Sequence, residues 1–203
     1  GSIYKSNNEG HPNSIQVISP NYSTGENPFW NAPYFMHPTD NNTIYVFSNR
    51  LWKSTNAGND WNPISGGFSS SANTAHQNRL YPEVMIACAG GNFQSNPPIY
   101  ISTNEGVNWT NIAGNIPGPG RFISSVKTDP TKRNTVYIVR SGFGSGKIYK
   151  STNLGANWEN ISGDLPDIPH NDLFIDPSIP NNYYAANDLE YTRLLMAEFT
   201  GQG

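Results

Sequence analysis

Ile148-Tyr-Lys-Ser-Thr-Asn-Leu-Gly-Ala-Asn-Trp158 is met twice more in the chain, as Leu51-Trp-Lys-Ser-Thr-Asn-Ala-Gly-Asn-Asp-Trp61 and as Ile99-Tyr-Ile-Ser-Thr-Asn-Glu-Gly-Val-Asn-Trp109. A worn copy, Ile3-Tyr-Lys-Ser-Asn-Asn-Glu-Gly10, has lost its tryptophan. The aromatic residues in second place, Tyr4, Trp52, Tyr100 and Tyr149, lie 48, 48 and 49 residues apart. So regular a period means that one supersecondary unit is repeated. Within each copy an apolar-aromatic strand runs into a turn. Asn folds its side chain onto the backbone there, and Gly accepts positive φ. The Ser and Thr hydroxyls are placed to bond neighbouring backbone groups, and the Trp to pack over the turn and lock the hairpin. Ser54, Asn56, Gly58 and Trp61 therefore read as structural residues. So do Ser102, Asn104, Gly106 and Trp109, and Ser151, Asn153, Gly155 and Trp158.

A second register runs beside the first. Apolar or aromatic residues lead to Pro38, Pro82, Pro130 and Pro177, spaced 44, 48 and 47. Short strand-like runs follow, at 43–47, 84–88, 135–139 and 183–186. Each period thus holds four short strands: one ending at the proline, one after it, one before the Ser-Thr-Asn-x-Gly turn, and one from the tryptophan into Ile64, Ile112 or Ile161. Four strands in about 40–50 residues make the blade of a β-propeller. The expected fold is all-β, a single domain over 1–203 with repeats near 3–18, 33–65, 78–113 and 121–162 and a last partial blade at 171–193. Residues 187–193 can begin a third strand there. Two arrangements suit these repeats. In one, 172–186 pairs with 3–18 and closes a four-bladed ring. In the other, the chain is part of a larger propeller, and its open edges favour self-association.

Composition agrees with many short strands. Gly (19) and Pro (16) are abundant, aromatics reach 12%, and only 13% of residues are charged. The 35% of hydrophobic residues suffices for a core. A net charge of −3 without any basic cluster argues against nucleic acid. No apolar run approaches the roughly 18–20 residues of a membrane-spanning helix. Cys88, inside an apolar run, reads as a small buried hydrophobe. Gly1-Ser2 reads as an added remnant before a repeat that starts at Ile3, so any leader peptide would have been cut away.

The turns resemble the Asp-box repeat of bacterial neuraminidases, Ser/Thr-x-Asp-x-Gly-x-x-Trp, with Asn in place of the usual Asp in every copy. The resemblance covers nearly the whole chain and implies a propeller of the sialidase and xyloglucanase-like kind. It also spans functions, since sialidases, xyloglucan-active hydrolases, sortilin-type receptors and photosystem assembly factors share the repeat. Its phrasing is most similar to secreted bacterial members, which implies an extracellular or cell-surface location.

In such a fold the loop entering each innermost strand lies on the functional face. Reading back from the prolines gives Phe29-Trp30-Asn31 with Tyr34, then His76-Gln-Asn-Arg79, then Arg121-Phe122, then His170-Asn-Asp172. Aromatic faces beside planar hydrogen-bonders suit an oligo- or polysaccharide. The candidate ligand contacts are Trp30, Asn31, Tyr34, His76, Arg79, Arg121, His170 and Asp172. Each has a bland alternative: Phe29 and Trp30 packed between blades, Arg79 and Arg121 solvated or paired with a carboxylate. Glycoside hydrolysis calls for two carboxylates flanking a cleft. Asp172 is the best single candidate acid, and no convincing second accompanies it. Asp40, Asp164 and Asp167 lie in turn-like contexts, and Asp129 and Asp176 precede prolines as turn-formers. Arg79, Arg121 and Arg140 do not fall in a sialidase-like setting. No metal-ligand spacing occurs, and no cofactor is called for. The leading expectation is glycan binding without a complete catalytic set; a protein-docking scaffold is the alternative, an active glycosidase the third.

Overall fold

The computed structural model describes residues 2–22, 25–26, 28–90, 96–179, 181–189 and 191–195, the last five by backbone alone. Five antiparallel sheets follow one another along the chain. A hairpin of β1 (Tyr4–Ser6) and β2 (Ile15–Val17) comes first. The first four-stranded sheet holds β3 (Tyr34–His37), β4 (Asp40–Phe47), β5 (Leu51–Ser54) and β6 (Asn62–Pro63). The second holds β7 (Thr74–Gln77), β8 (Met85–Cys88), β9 (Ile99–Ser102) and β10 (Thr110–Asn111). The third holds β11 (Phe122–Thr128), β12 (Val136–Ser141), β13 (Ile148–Ser151) and β14 (Glu159–Asn160). A last sheet has β15 (His170–Ile175), β16 (Asn182–Asn187) and β17 (Tyr191–Leu195). The third strand anticipated near 187–193 is thus β17, paired with β16.

The opening strands of successive sheets lie side by side, β3 by β7, β7 by β11 and β11 by β15. Sheets fanned about a shared inner row are the arrangement that the period implies. Among the described residues, β1 and β2 pair only with each other and β15 only with β16. Among the described residues 172–186 therefore does not pair with 3–18, each segment forming its ladder with its own chain neighbour.

Both faces of each middle strand are buried, which explains the unbroken apolar runs. In the second sheet Val84, Ile86 and Cys88 face a core shared with Ile123, Val126, Val136 and Ile138 of the third. Met85, Ala87 and Ala89 face the opposite core, with Tyr45, Phe47 and Leu51 of the first sheet. Residues of β12 alternate likewise, Tyr137 and Val139 packing against Leu173, Tyr183 and Ala185. The two-residue period is present, but it sorts side chains between two cores rather than between core and water. Cys88 is one of them, fully buried.

The repeated turns lock as their chemistry suggests. Ser54, Ser102 and Ser151 each accept from the N–H four residues on, at Gly58 (2.9 Å), Gly106 (2.9 Å) and Gly155 (2.8 Å). Asn56, Asn104 and Asn153 accept from the N–H of Asp60, Asn108 and Asn157 at 2.8, 2.9 and 2.9 Å. The glycines do more than turn. A Cβ on Gly58 would meet Ile18 of the preceding hairpin at 2.7 Å, and one on Gly155 would meet Ile112 of the preceding sheet at 2.5 Å. Trp61 donates to Ile18 O at 2.6 Å as well as to Gly58 O at 3.1 Å. Trp158 reaches Ile112 O at 3.4 Å. Each of these two turns also fastens its sheet to the one before.

Candidate binding surface on the inner strands

An Asx turn closes three of the inner strands. Asp129 Oδ1, directly after β11, accepts from the N–H groups of Thr131 (2.9 Å) and Lys132 (3.0 Å). Asp176, directly after β15, does so from Ser178 (2.8 Å) and Ile179 (3.2 Å). After β7 the same place is held by Asn78, accepting from Leu80 and Tyr81 at 3.0 Å each. In the first sheet that place falls to His37, whose Nδ1 accepts from the Thr39 N–H at 3.3 Å, while Asp40, three residues on, accepts from the Asn42 N–H (3.0 Å) and Thr43 Oγ (2.7 Å). These carboxylates are turn-formers, as read from the sequence.

This register corrects the one counted from Pro82. Arg79, not Pro82, stands where Pro130 and Pro177 stand, one residue past the Asx position. β7 therefore lies at Thr74–Gln77, ahead of the boundary placed at 78, and His76 and Arg79 sit at the exit of the inner strand rather than on the loop entering it. An Asn replacing Asp, with no proline after it, hid the equivalence.

Counted back from the strand ends, two tiers of alternating residues emerge. Tyr34, Thr74, Ser125 and Asp172 form one; Met36, His76, Lys127 and Phe174 form the other. The intervening Phe35, Val126 and Leu173 turn into the cores between sheets. Tyr34 (61%), Met36 (52%) and Phe174 (59%) stay open to solvent. One groove of 310 Å³, lined by Tyr34, Met36, His76 and Arg79, runs between β3 and β7. A second of 230 Å³, lined by His76, Arg79, Lys127 and Phe174, runs between the exits of β7, β11 and β15.

The polar members are tied together. Asp172 Oδ1 accepts from Ser125 Oγ at 2.6 Å and from Lys127 Nζ at 2.8 Å. Burial works to raise its pKa, but the bonds from Lys127 and Ser125 prevail and hold it below the ordinary carboxylate value. His76 Nδ1 lies 2.9 Å from Thr128 Oγ and accepts from the Thr128 N–H at 3.2 Å. Burial, helped by the charge of Lys127, pulls its pKa down to about 4, so the imidazole is neutral near pH 7. Lys127 was not singled out from the sequence; its alternation with Ser125 in β11 was the available signal.

The other candidates lie elsewhere. Trp30 is 77% exposed on the loop before β3, its ring 6.1 Å from that of Phe29, so it is not packed between sheets. Asn31 is exposed beside it. His170 is fully buried, with Nδ1 2.9 Å from Ile168 O. Burial depresses its pKa too. Arg121 donates to Gly120 O and Phe143 O at 3.1 Å each and lines a different cleft, with Arg140. The entry loops and the inner tiers are thus separate clusters. Asp167 accepts from the Gly144 N–H at 2.8 Å and from Lys147 Nζ at 2.5 Å. Among the described residues no three His, Cys, Asp or Glu side chains gather as metal ligands. No helix among the described residues is long and apolar enough to cross a membrane.

No family model matches the chain, and no curated protein matches it. Solved structures do. YCF48 bound to a D1 peptide superposes with a TM-score of 0.64 at 14% identity, over 92% of this chain and 55% of that one. The GH74 xyloglucanase from Xanthomonas campestris gives 0.61 at 16% identity, over 78% of this chain and 27% of that one. The GH74 enzyme from Niastella koreensis gives 0.55 at 17%, over 81% and 30%. The chain therefore spans about a quarter to a half of the length of these structures. At such identities the likeness is one of fold: this chain is an all-β propeller segment built of four-stranded antiparallel blades.

Proposed function

We propose that the inner tiers form a non-catalytic carbohydrate-binding surface on an Asp-box type propeller of a secreted bacterial protein. The observation that carries this reading is the pair of open aromatic rings, Tyr34 and Phe174, flanking the polar row His76, Lys127 and Asp172. Sugar rings stack their apolar faces on such aromatics while their hydroxyls meet planar acceptors and cations. A β-glucan like that implied by the xyloglucanase neighbour is the first ligand to try. Binding without hydrolysis is favoured because Asp172, salt-bridged to Lys127, stays ionised and is poorly suited to donate a proton. Isothermal titration with xyloglucan and cello-oligosaccharides should show binding that Tyr34→Ala or Phe174→Ala weakens. Absence of heat at millimolar sugar would refute the reading.

A second reading, docking of an extended peptide along the same grooves, is favoured by the cationic Arg79 and Lys127 beside apolar walls and by the peptide named with the YCF48 neighbour. Binding of a peptide pool that Arg79→Ala abolishes, without sugar binding, would select it.

A further inference from the structure

Arg140 is buried, with 3% of its surface exposed, and forms no ion pair among the described residues. Its Nη1 donates to Pro117 O at 2.8 Å and Tyr149 Oη at 3.0 Å, and its guanidinium lies 4.5 Å above the Tyr149 ring. Its Nε–H has no acceptor among the described residues. A guanidinium remains charged in proteins, so it does not escape burial by losing its proton. Leaving such a charge without a counter-ion in an apolar setting is costly.

Arg140 lines a cleft between the second and third sheets together with Arg121, which is likewise without a carboxylate partner among the described residues. Pro97, Ile99, Ile116 and Ile123 supply apolar walls. Asp167 feels the charge of Arg121, but its oxygens are occupied by Lys147 and the Gly144 N–H. Burial first, and then the charge of Arg121, depress the pKa of Arg140, so two like charges face one small space. The cleft holds about 40 Å³, enough for one carboxylate group or roughly three waters and far too little for a sugar ring.

We propose that this cleft binds a single carboxylate group, hydrogen-bonded by the Arg121 guanidinium and paired with the charge of Arg140. The carboxylate neutralises two cations at once. Low-dielectric walls strengthen both contacts. The site lies at the entry end of β11, apart from the two tiers, and is independent of the carbohydrate reading.

The test follows the Nε–H resonances of ¹⁵N-labelled protein during titration with sodium acetate at constant ionic strength, with acetamide as the neutral isostere. The Arg140 Nε–H signal, assigned through its own backbone amide, should shift saturably with acetate only. Arg121→Gln, at a half-buried surface position, should fold and weaken acetate by about tenfold or more. An equal shift with acetamide or chloride, no shift at any acetate concentration, or unchanged affinity in R121Q would overturn the site and leave the cleft to water. Competition by glucuronate or by N-acetylglycine then tells a sugar acid from a peptide terminus.

Discussion

Lys127 Nζ lies 2.8 Å from Asp172 Oδ1, so an ion pair bridges the inner strands of two neighbouring sheets. The pair is half-open to water, and its net worth to stability is small. Its main effect is electrostatic: it holds Asp172 ionised and repels a proton from His76.

Removing the lysine should release Asp172. In Lys127→Met the carboxyl loses both charge and hydrogen bond while its burial persists, so its titration midpoint should climb toward or above 3.8. A carbon-detected NMR titration of the side-chain carboxyl reads this directly. An unmoved midpoint would mean that Ser125, not Lys127, sets it.

His76 should make the fold acid-sensitive in a defined window. Its pKa falls from 6.5 in the unfolded chain to about 4 in the fold. The unfolded state therefore binds more protons between those values, and stability declines as pH drops from 6.5 toward 4. Lys127 adds to that decline and Asp172 opposes it. The full effect is on the order of 2–3 kcal/mol. Denaturant melts across pH should show the slope, and His76→Gln should flatten it. An identical slope in the variant would assign the effect to other groups.

Gly155 should tolerate no side chain unless its neighbour shrinks. Gly155→Ala meets a φ of 88° and the Ile112 side chain together. Strain plus overpacking should cost about 2–4 kcal/mol. Adding Ile112→Ala relieves the collision but not the backbone strain. The double variant should thus be less destabilised than the two single losses summed, which a double-mutant cycle measures. Simple additivity would show that the turn does not press on the preceding sheet.

Trp61 should matter to the terminal hairpin more than to its own turn. Trp61→Phe keeps an aromatic ring, though a smaller one, and removes the donor to Ile18 O and Gly58 O. A loss of about 1–2 kcal/mol is expected. Hydrogen exchange should speed most at β1 and β2. Uniform acceleration across all sheets would contradict a local fastening role.

Blade architecture was legible because local chemistry repeats: Ser, Asn and Gly close the same turn wherever they recur, and outside the second blade the inner strands end where the prolines put them. The turn-forming roles of Asp40, Asp129 and Asp176 were legible for the same reason, since an Asx turn is built from adjacent residues. What lay beyond reach depends on how strands pair and sheets pack. Asn78 stands in for Asp and Arg79 for proline, so only strand pairing revealed that His76 sits at a strand exit. Lys127 gained significance only when β15 brought Asp172 beside it. Arg140, read from the sequence only as lying outside a sialidase-like setting, gained significance when folding buried it against Tyr149 without a counter-charge among the described residues. Turn chemistry is decided over a few bonds of chain, whereas burial, pairing and charge balance are properties of neighbours that only packed sheets provide.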